Sequence, residues 1–345
     1  MQIKDQIKLP ENSIVHQPAV FYRITALWAL SEAFLGGVLH ALHLPGTGLF
    51  VGGAAVLCIS LLAFYCPARH AILKATILVI LIKGMLSPHS PPGAYLAVFI
   101  QGGLGYLFFW SKRYFKVSCL LLGVITQLQS ALQRLVVMLI VFGADLYQVA
   151  DGFVDYILKK AGIAAGDYVL YVVLLYIGLH VLMGVLVGWL AGRLPRRLKN
   201  EHHSIKISST LVEQTPMITK DKRKSRSKFL MSGVMIGSIA LLASSLYFGI
   251  IDDSTVYAIL ARAILILVIW VWVLSSFLQR LLLQWSNSKK SLLAEELSQI
   301  ISLMPFIKQM AHDCWLSLAH LPLLKRIFLL PVKLTACVIV ENNSN

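Results

Sequence analysis

The chain has 345 residues, is 57% hydrophobic and 14% charged, and has a mean hydropathy of +0.74, outside the range of soluble globular domains. Its 31 Lys and Arg against 16 Asp and Glu leave a net charge of +15, which in so apolar a chain is assigned to basic cytoplasmic loops rather than to nucleic acid. The five cysteines (Cys58, Cys66, Cys119, Cys314, Cys337) are scattered with no CxxC pair, so they predict neither a disulfide framework nor a zinc site.

Residues 1–20 are polar, carry Pro10 and Pro18, and lack the continuous apolar core of a cleavable signal peptide. A first span is predicted over Phe21–Leu44, ending at the turn Pro45-Gly46-Thr47-Gly48. The second, Leu49–Tyr65, closes at Cys66-Pro67-Ala68-Arg69. The third, His70–Leu86, ends in Ser87-Pro88-His89-Ser90-Pro91-Pro92-Gly93, too rich in proline to stay helical. A fourth covers Ala94–Trp110 and precedes Lys112-Arg113. The fifth is long, Lys116–Phe142, and leads to a loop with an amphipathic piece over Val149–Ala161.

The sixth span begins after Asp167 and runs more than twenty residues without an acid, Lys or Arg, enough to cross a ~30 Å hydrocarbon core. Gly184, Gly188 and Gly192 share one of its faces and invite a close neighbouring backbone. Arg193, Arg196, Arg197 and Lys199 then stop it and mark the cytoplasmic side. Beyond lies a polar linker ending in KDKRKSRSK (220–228), then a hairpin of Phe229–Ile251 and Val256–Phe277. The remainder has no clean span. Leu293, Leu297, Ile300 and Met304 form an apolar helical face opposite Glu295, Glu296 and Gln299, and Pro305, Pro322 and Pro331 are expected to divide the tail into short helices on the membrane or on a partner. Met310, Cys314, Trp315 and Leu318 suit docking on a partner or contact with the membrane surface.

These segments predict an all-α integral membrane protein: a six-helix transmembrane bundle (residues 1–198), a basic cytoplasmic linker (199–228), a two-helix transmembrane hairpin (229–280) and amphipathic cytoplasmic or membrane-surface helices (281–345). With both termini inside, every Lys and Arg except Lys83, Arg134, Lys159, Lys160 and Arg262 falls in a cytoplasmic segment, as the positive-inside rule requires.

Polar groups inside such spans are the candidates for function. They are Glu32 in the first span, Lys83 in the third, Gln101 in the fourth, Gln127, Gln129, Gln133 and Arg134 in the fifth, and His180 in the sixth. Glu32, Lys83, Gln101, Arg134 and His180 are the proposed substrate contacts; Lys83 and Arg134 favour an anionic group. The competing reading makes Glu32 the internal partner of Lys83 or Arg134. His40, His43 and His89 read as interface residues, and no metal site or cofactor is predicted. Ala29, Ala33 and Gly37 sit at i, i+4 and i+8, a small-residue face that serves close internal packing or the docking of another subunit. No HExxH, GxSxG, EExxxR or Walker A pattern is present, so no enzyme is predicted and ATP-driven work needs another chain.

Residues 20–198 resemble the substrate-binding S component of energy-coupling-factor (ECF) vitamin transporters. The resemblance rests on six helices of this orientation, on the Ala-rich ITALWALSEAFLGGVLHAL, the turn LPGTG, KGMLSPHSPPGAY, and HVLMGVLVGWLAGRLP closing the sixth helix. It implies a binder of a vitamin or other small nutrient in a bacterial inner membrane. It also implies that Ala29 and Ala33, at the place of the family's AxxxA motif, face a transmembrane T component, with Gly37 continuing that docking face, and that two ABC ATPase subunits supply energy. Residues 229–345 depart from that family; they resemble a shortened T component but lack its Ala-Arg-Gly coupling motifs. Two other readings stand beside the importer: a membrane scaffold whose tail recruits a soluble complex, and an ion-coupled secondary transporter with Glu32 as the proton-linked acid.

Overall fold

The structure, a computed structural model, describes residues 17–35, 46–66, 68, 70–87, 90–143, 146–160, 168–201, 261, 265 and 292–339. Apart from residues 261 and 265, the predicted hairpin over Phe229–Phe277 lies outside the described residues, as do most of the linker, Gly37, His40, His43 and His89. All regular structure among the described residues is helical.

The helices are α1 (Gln17–Leu30, continued by a π-turn over Ser31–Leu35), α2 (Thr47–Tyr65), α3 (Ala71–Leu86), α4 (Pro92–Phe108), α5 (Phe115–Phe142), α6 (Leu146–Lys160), α7 (Val169–Glu201), α8 (Leu292–Ser317) and α9 (Leu323–Ile339). The second to sixth predicted N-terminal spans each overlap a helix, and the first, Phe21–Leu44, does so over its described part, to Leu35. Three of them, α2, α5 and α7, are long and apolar enough to cross a membrane.

The boundaries follow from local chemistry. Gly46 takes φ 92°, a left-handed conformation that costs glycine nothing, and so lets the chain turn into α2, with Leu49 N–H donating to the Gly46 carbonyl. Pro91 is extended and Pro92 opens α4, where its fixed φ suits the first turn and its missing N–H is not needed. Between α4 and α5 the chain turns tightly, and Phe115 packs against both Phe64 and Phe109.

α2 is the centre of the bundle. It has no charged residue and is apolar all round, as a helix surrounded by others should be; two thirds of its apolar window is buried, against 17% for α7. α1, α4, α5 and α7 all pack on it. α7 instead turns Leu170, Tyr171, Leu174, Leu175 and Leu182 outward. Together with the exposed Val136, Val137, Leu139 and Ile140 of α5, that surface requires an apolar surrounding, and it points to a membrane.

The glycine ladder of α7 faces α5. A methyl group on Gly184 would lie 2.7 Å from the Val124 Cα, and one on Gly188 would lie 2.7 Å from both the Cys119 carbonyl and the Leu120 Cα. Only glycine permits this approach of two backbones. Gly192 has more room, its nearest neighbour being the Lys116 Cα at 3.4 Å.

The tail departs from the expectation of short surface helices. Pro305 and Pro331 lie inside continuous helices, and only Pro322 stands between α8 and α9. Pro305 is exposed, so its ring and the carbonyl it frees fall away from the packed face, where a kink is tolerated. Leu297, Ile300, Met304 and Ile307 are buried in the same core as Ile24 and Trp28 of α1. Glu296 pairs with Lys74, whose ammonium lies 5.4 Å from the Phe21 ring centroid, and Lys308 lies 5.1 Å from the Phe34 ring centroid. Since Phe21 to Phe34 and Glu296 to Lys308 are nearly equal steps, α8 runs parallel to α1 and in step with it. α9 returns over the end of α8: Arg326 donates to the Trp315 carbonyl at 2.9 Å, Lys333 to Ser317 Oγ at 2.8 Å, and the Cys314 and Cys337 sulfurs are 3.5 Å apart.

Candidate functional site

Glu32 lies in the π-turn that ends the described part of α1, a local widening of the helix found mostly at functional positions. Its Oε2 accepts from Lys83 Nζ at 2.6 Å, and the two side chains are 2% and 5% exposed. Lys83 also donates to the Ala94 carbonyl at 3.3 Å and stands 6.0 Å from the Tyr95 ring centroid. Tyr95 in turn donates to the Ser87 carbonyl, and Ser87 Oγ to that of Ala33. The second carboxylate oxygen, Oε1, is buried, and the indole N–H of Trp28, buried one turn earlier, interacts with the Glu32 carboxylate. Of the two partners considered for Glu32, the structure selects Lys83.

A second group surrounds Gly52 on α2. A methyl there would stand 3.6 Å from Gln127 Nε2, 3.7 Å from Thr126 Cγ2 and 3.8 Å from Gln101 Nε2, ordinary contact distances that place three polar side chains from α4 and α5 around this turn of α2. Gln127 Nε2 donates to the Leu49 carbonyl at 2.8 Å, an interhelical bond. The remaining oxygens, Gln101 Oε1, Gln127 Oε1 and Thr126 Oγ1, are buried and unpartnered among the described residues. One turn toward the α2 N-terminus Gly48 abuts Ser130, and Gly93 at the start of α4 abuts Gln133. Beside them α4 and α5 enclose an open groove of about 360 Å³, lined by Leu96, Ile100, Leu128, Gln129, Gln133 and Val136. Within it Gln129 donates to Gln133 at 2.8 Å.

Arg134 and His180 form a third group, between α5 and α7. His180 is buried, and its Nδ1 is 2.9 Å from the Tyr176 carbonyl; a carbonyl only accepts, so the proton belongs on Nδ1. The Tyr176 ring stacks obliquely on the imidazole at 4.4 Å. Arg134 is near enough to act on the Tyr176 hydroxyl electrostatically, and that hydroxyl is buried and unpartnered among the described residues.

The five predicted contacts thus fall into three groups, with Glu32 paired to Lys83, Gln101 beside Gly52 with Thr126 and Gln127, and Arg134 and His180 each near Tyr176. Trp28, Tyr95, Thr126 and Tyr176 were not singled out by sequence. Trp28 and Tyr176 each lie four residues from a predicted residue on the same helix, the signal that was available. Ala29 is fully buried in the chain's own core, and the Ala33 carbonyl accepts from Ser87, so this face packs internally on α2 and α3. No family model matches the sequence, and no curated protein or solved structure is similar to it.

Proposed function

We propose that residues 20–198 are the substrate-binding membrane subunit of an ECF-type importer, taking up a vitamin or other small nutrient in a bacterial inner membrane. The observation that carries this reading is the Gly52 group: beside one turn of α2, the helices α4 and α5 bring together three buried side-chain oxygens, Gln101 Oε1, Thr126 Oγ1 and Gln127 Oε1, that have no partner among the described residues. Buried polar atoms are ordinarily satisfied, and unsatisfied ones between packed helices mark a place where a ligand supplies the missing partner. Arg134, free of any ion pair among the described residues, supports recognition of an anionic group at the α5–α7 end.

In this reading α1–α5 and α7 are the six spans, the hairpin over 229–280 adds two, and both termini are cytoplasmic. The basic ends favour this orientation, since Arg193 and Arg196 end α7 and Lys112 and Arg113 lie between α4 and α5. The docked tail supports a fusion that carries its own adaptor: α8 occupies α1, the helix on which the resemblance places T-component docking. An ABC ATPase pair then supplies energy from other chains, and the chain itself has no catalytic role.

The test is gentle purification from native membranes, followed by identification of everything that accompanies the chain. Stoichiometric ABC-type ATPases and a released metabolite support the importer. A soluble complex without ATPases, held through residues 278–345, would favour the scaffold, whereas uptake in vesicles without ATP that Glu32→Gln abolishes would favour the secondary transporter. Once a ligand is known, Arg134→Ala should weaken its binding while the chain stays folded; unchanged affinity removes that residue from the site.

A further inference from the structure

α6 is amphipathic, yet it faces the wrong way for a helix in water. Phe153, Tyr156 and Ile157 share one side and are 65%, 58% and 48% exposed. Asp151 and Asp155, on the other side, and Val154 at its edge are half-buried toward the chain, and Asp155 Oδ1 has no partner among the described residues. An aqueous setting rewards the opposite arrangement, with aromatic groups inward and carboxylates outward. The outside of α6 is therefore apolar.

Its position says what that surrounding is. α5 and α7 are both long and apolar enough to cross a membrane, and α6 joins them. Only residues 143–145 separate it from α5, and three residues reach at most roughly 10 Å, so the start of α6 is held at the level where α5 leaves the hydrocarbon. Leu139 and Ile140, near that end of α5, are themselves turned outward. Lys159 and Lys160 are exposed at its C-terminal end, with the Lys160 ammonium 5.0 Å from the Tyr156 ring centroid. Aromatic rings with flanking lysines are the chemistry of the boundary between acyl chains and headgroups.

We infer that α6 is an interfacial lipid-binding helix, with Phe153, Tyr156 and Ile157 set into the bilayer boundary and Lys159 and Lys160 among anionic headgroups. This rests on α5 and α7 crossing the membrane and not on the importer reading. The test places a nitroxide at Phe153→Cys, Tyr156→Cys or Gln148→Cys in an otherwise cysteine-free full chain, in vesicles of phosphatidylcholine and phosphatidylglycerol. At 153 and 156, collisions with the polar nickel chelate should be lost and those with oxygen should rise, relative to 148. Nickel access at 153 and 156 equal to that at 148 would place the helix in water and overturn the inference. Shielding from both reagents would overturn it too, by showing a second copy on that face. If the cysteine-free chain does not fold, a benzophenone amino acid at position 153 of the native chain gives the same decision: lipid adducts support the inference, and protein adducts or none refute it.

Discussion

Lys83→Met is the sharpest test of what joins α1 to α3. The pair it breaks has an N–O distance of 2.6 Å and side chains 2% and 5% exposed, so the stranded Glu32 carboxylate has no route to water without opening the bundle. Removing one partner of such a pair costs about 3–5 kcal/mol, on the order of a hundredfold or more in the folding equilibrium. Glu32→Gln should cost less, because the Lys83 ammonium keeps the Ala94 carbonyl and the Tyr95 ring. The double change Glu32→Met with Lys83→Met should recover most of the loss, since well-packed apolar side chains replace a buried pair at little or no cost. The assay is unfolding by sodium dodecyl sulfate in mixed micelles for all variants, read as a double-mutant cycle. A loss below about 1 kcal/mol for Lys83→Met, the size found for solvated pairs, would falsify the dry pair and mean that water or ligand reaches Glu32. In that case the residue belongs to the site.

The α5–α7 contact predicts that Gly188→Ala lowers stability by about 1–3 kcal/mol or prevents folding, while Gly192→Ala is tolerated; the yield of monodisperse chain separates them. Charge exchange of Lys74 and Glu296, 40% and 15% exposed, should cost the two single reversals roughly 0.2–1 kcal/mol and be restored in the double variant. No restoration would mean that α8 does not lie along α1. Treating the folded chain with a thiol oxidant such as copper phenanthroline should cross-link Cys314 to Cys337 and leave Cys58, Cys66 and Cys119 free, by peptide mass after alkylation. The Cys337 thiol beside it, and then burial, hold Cys314 above the ordinary thiol range. Thiolate is therefore scarce at neutral pH, and the reaction should quicken as pH rises; five alkylated thiols at high pH would show that the two helices do not cross there.

Helix positions were legible because the signals that set them are local. Uncharged runs bounded by Pro91-Pro92, by the LPGTG turn and by Lys112-Arg113 fix where helices start and stop, whatever their neighbours. The glycine ladder of α7 was legible for the same reason: spacing of four residues puts Gly184 and Gly188 on one face, and a face without side chains has one structural use. The choice of partner was not legible. Glu32 had two candidate cations on other helices, and what decides between them is the rotation of α1, which the π-turn at Ser31–Leu35 alters and no local signal announces. The Gly52 group needed tertiary placement in the same way, since Gln101 and Gln127 belong to different helices and the glycine beside them to a third.

The tail shows the limit of reading proline as a stop. Leu293, Leu297, Ile300, Met304, Ile307, Ala311, Cys314 and Leu318 alternate by four and three residues without a break, the 3.5-residue period of helices packed side by side. Dividing the tail at Pro305 conceals that repeat by splitting it into two fragments. Proline removes one hydrogen bond and one donor, a cost of about 3 kcal/mol; a fully buried apolar side chain contributes about 1.5–3 kcal/mol. Ile300 and Ile307, at 0% and 1% exposure, flank Pro305 on the packed face and together outweigh it. The helix continues because its stripe is packed on both sides of Pro305, Ile300 and Ile307 in the core shared with α1 and Cys314 against Cys337 of α9, and those partners are what a division at each proline leaves out.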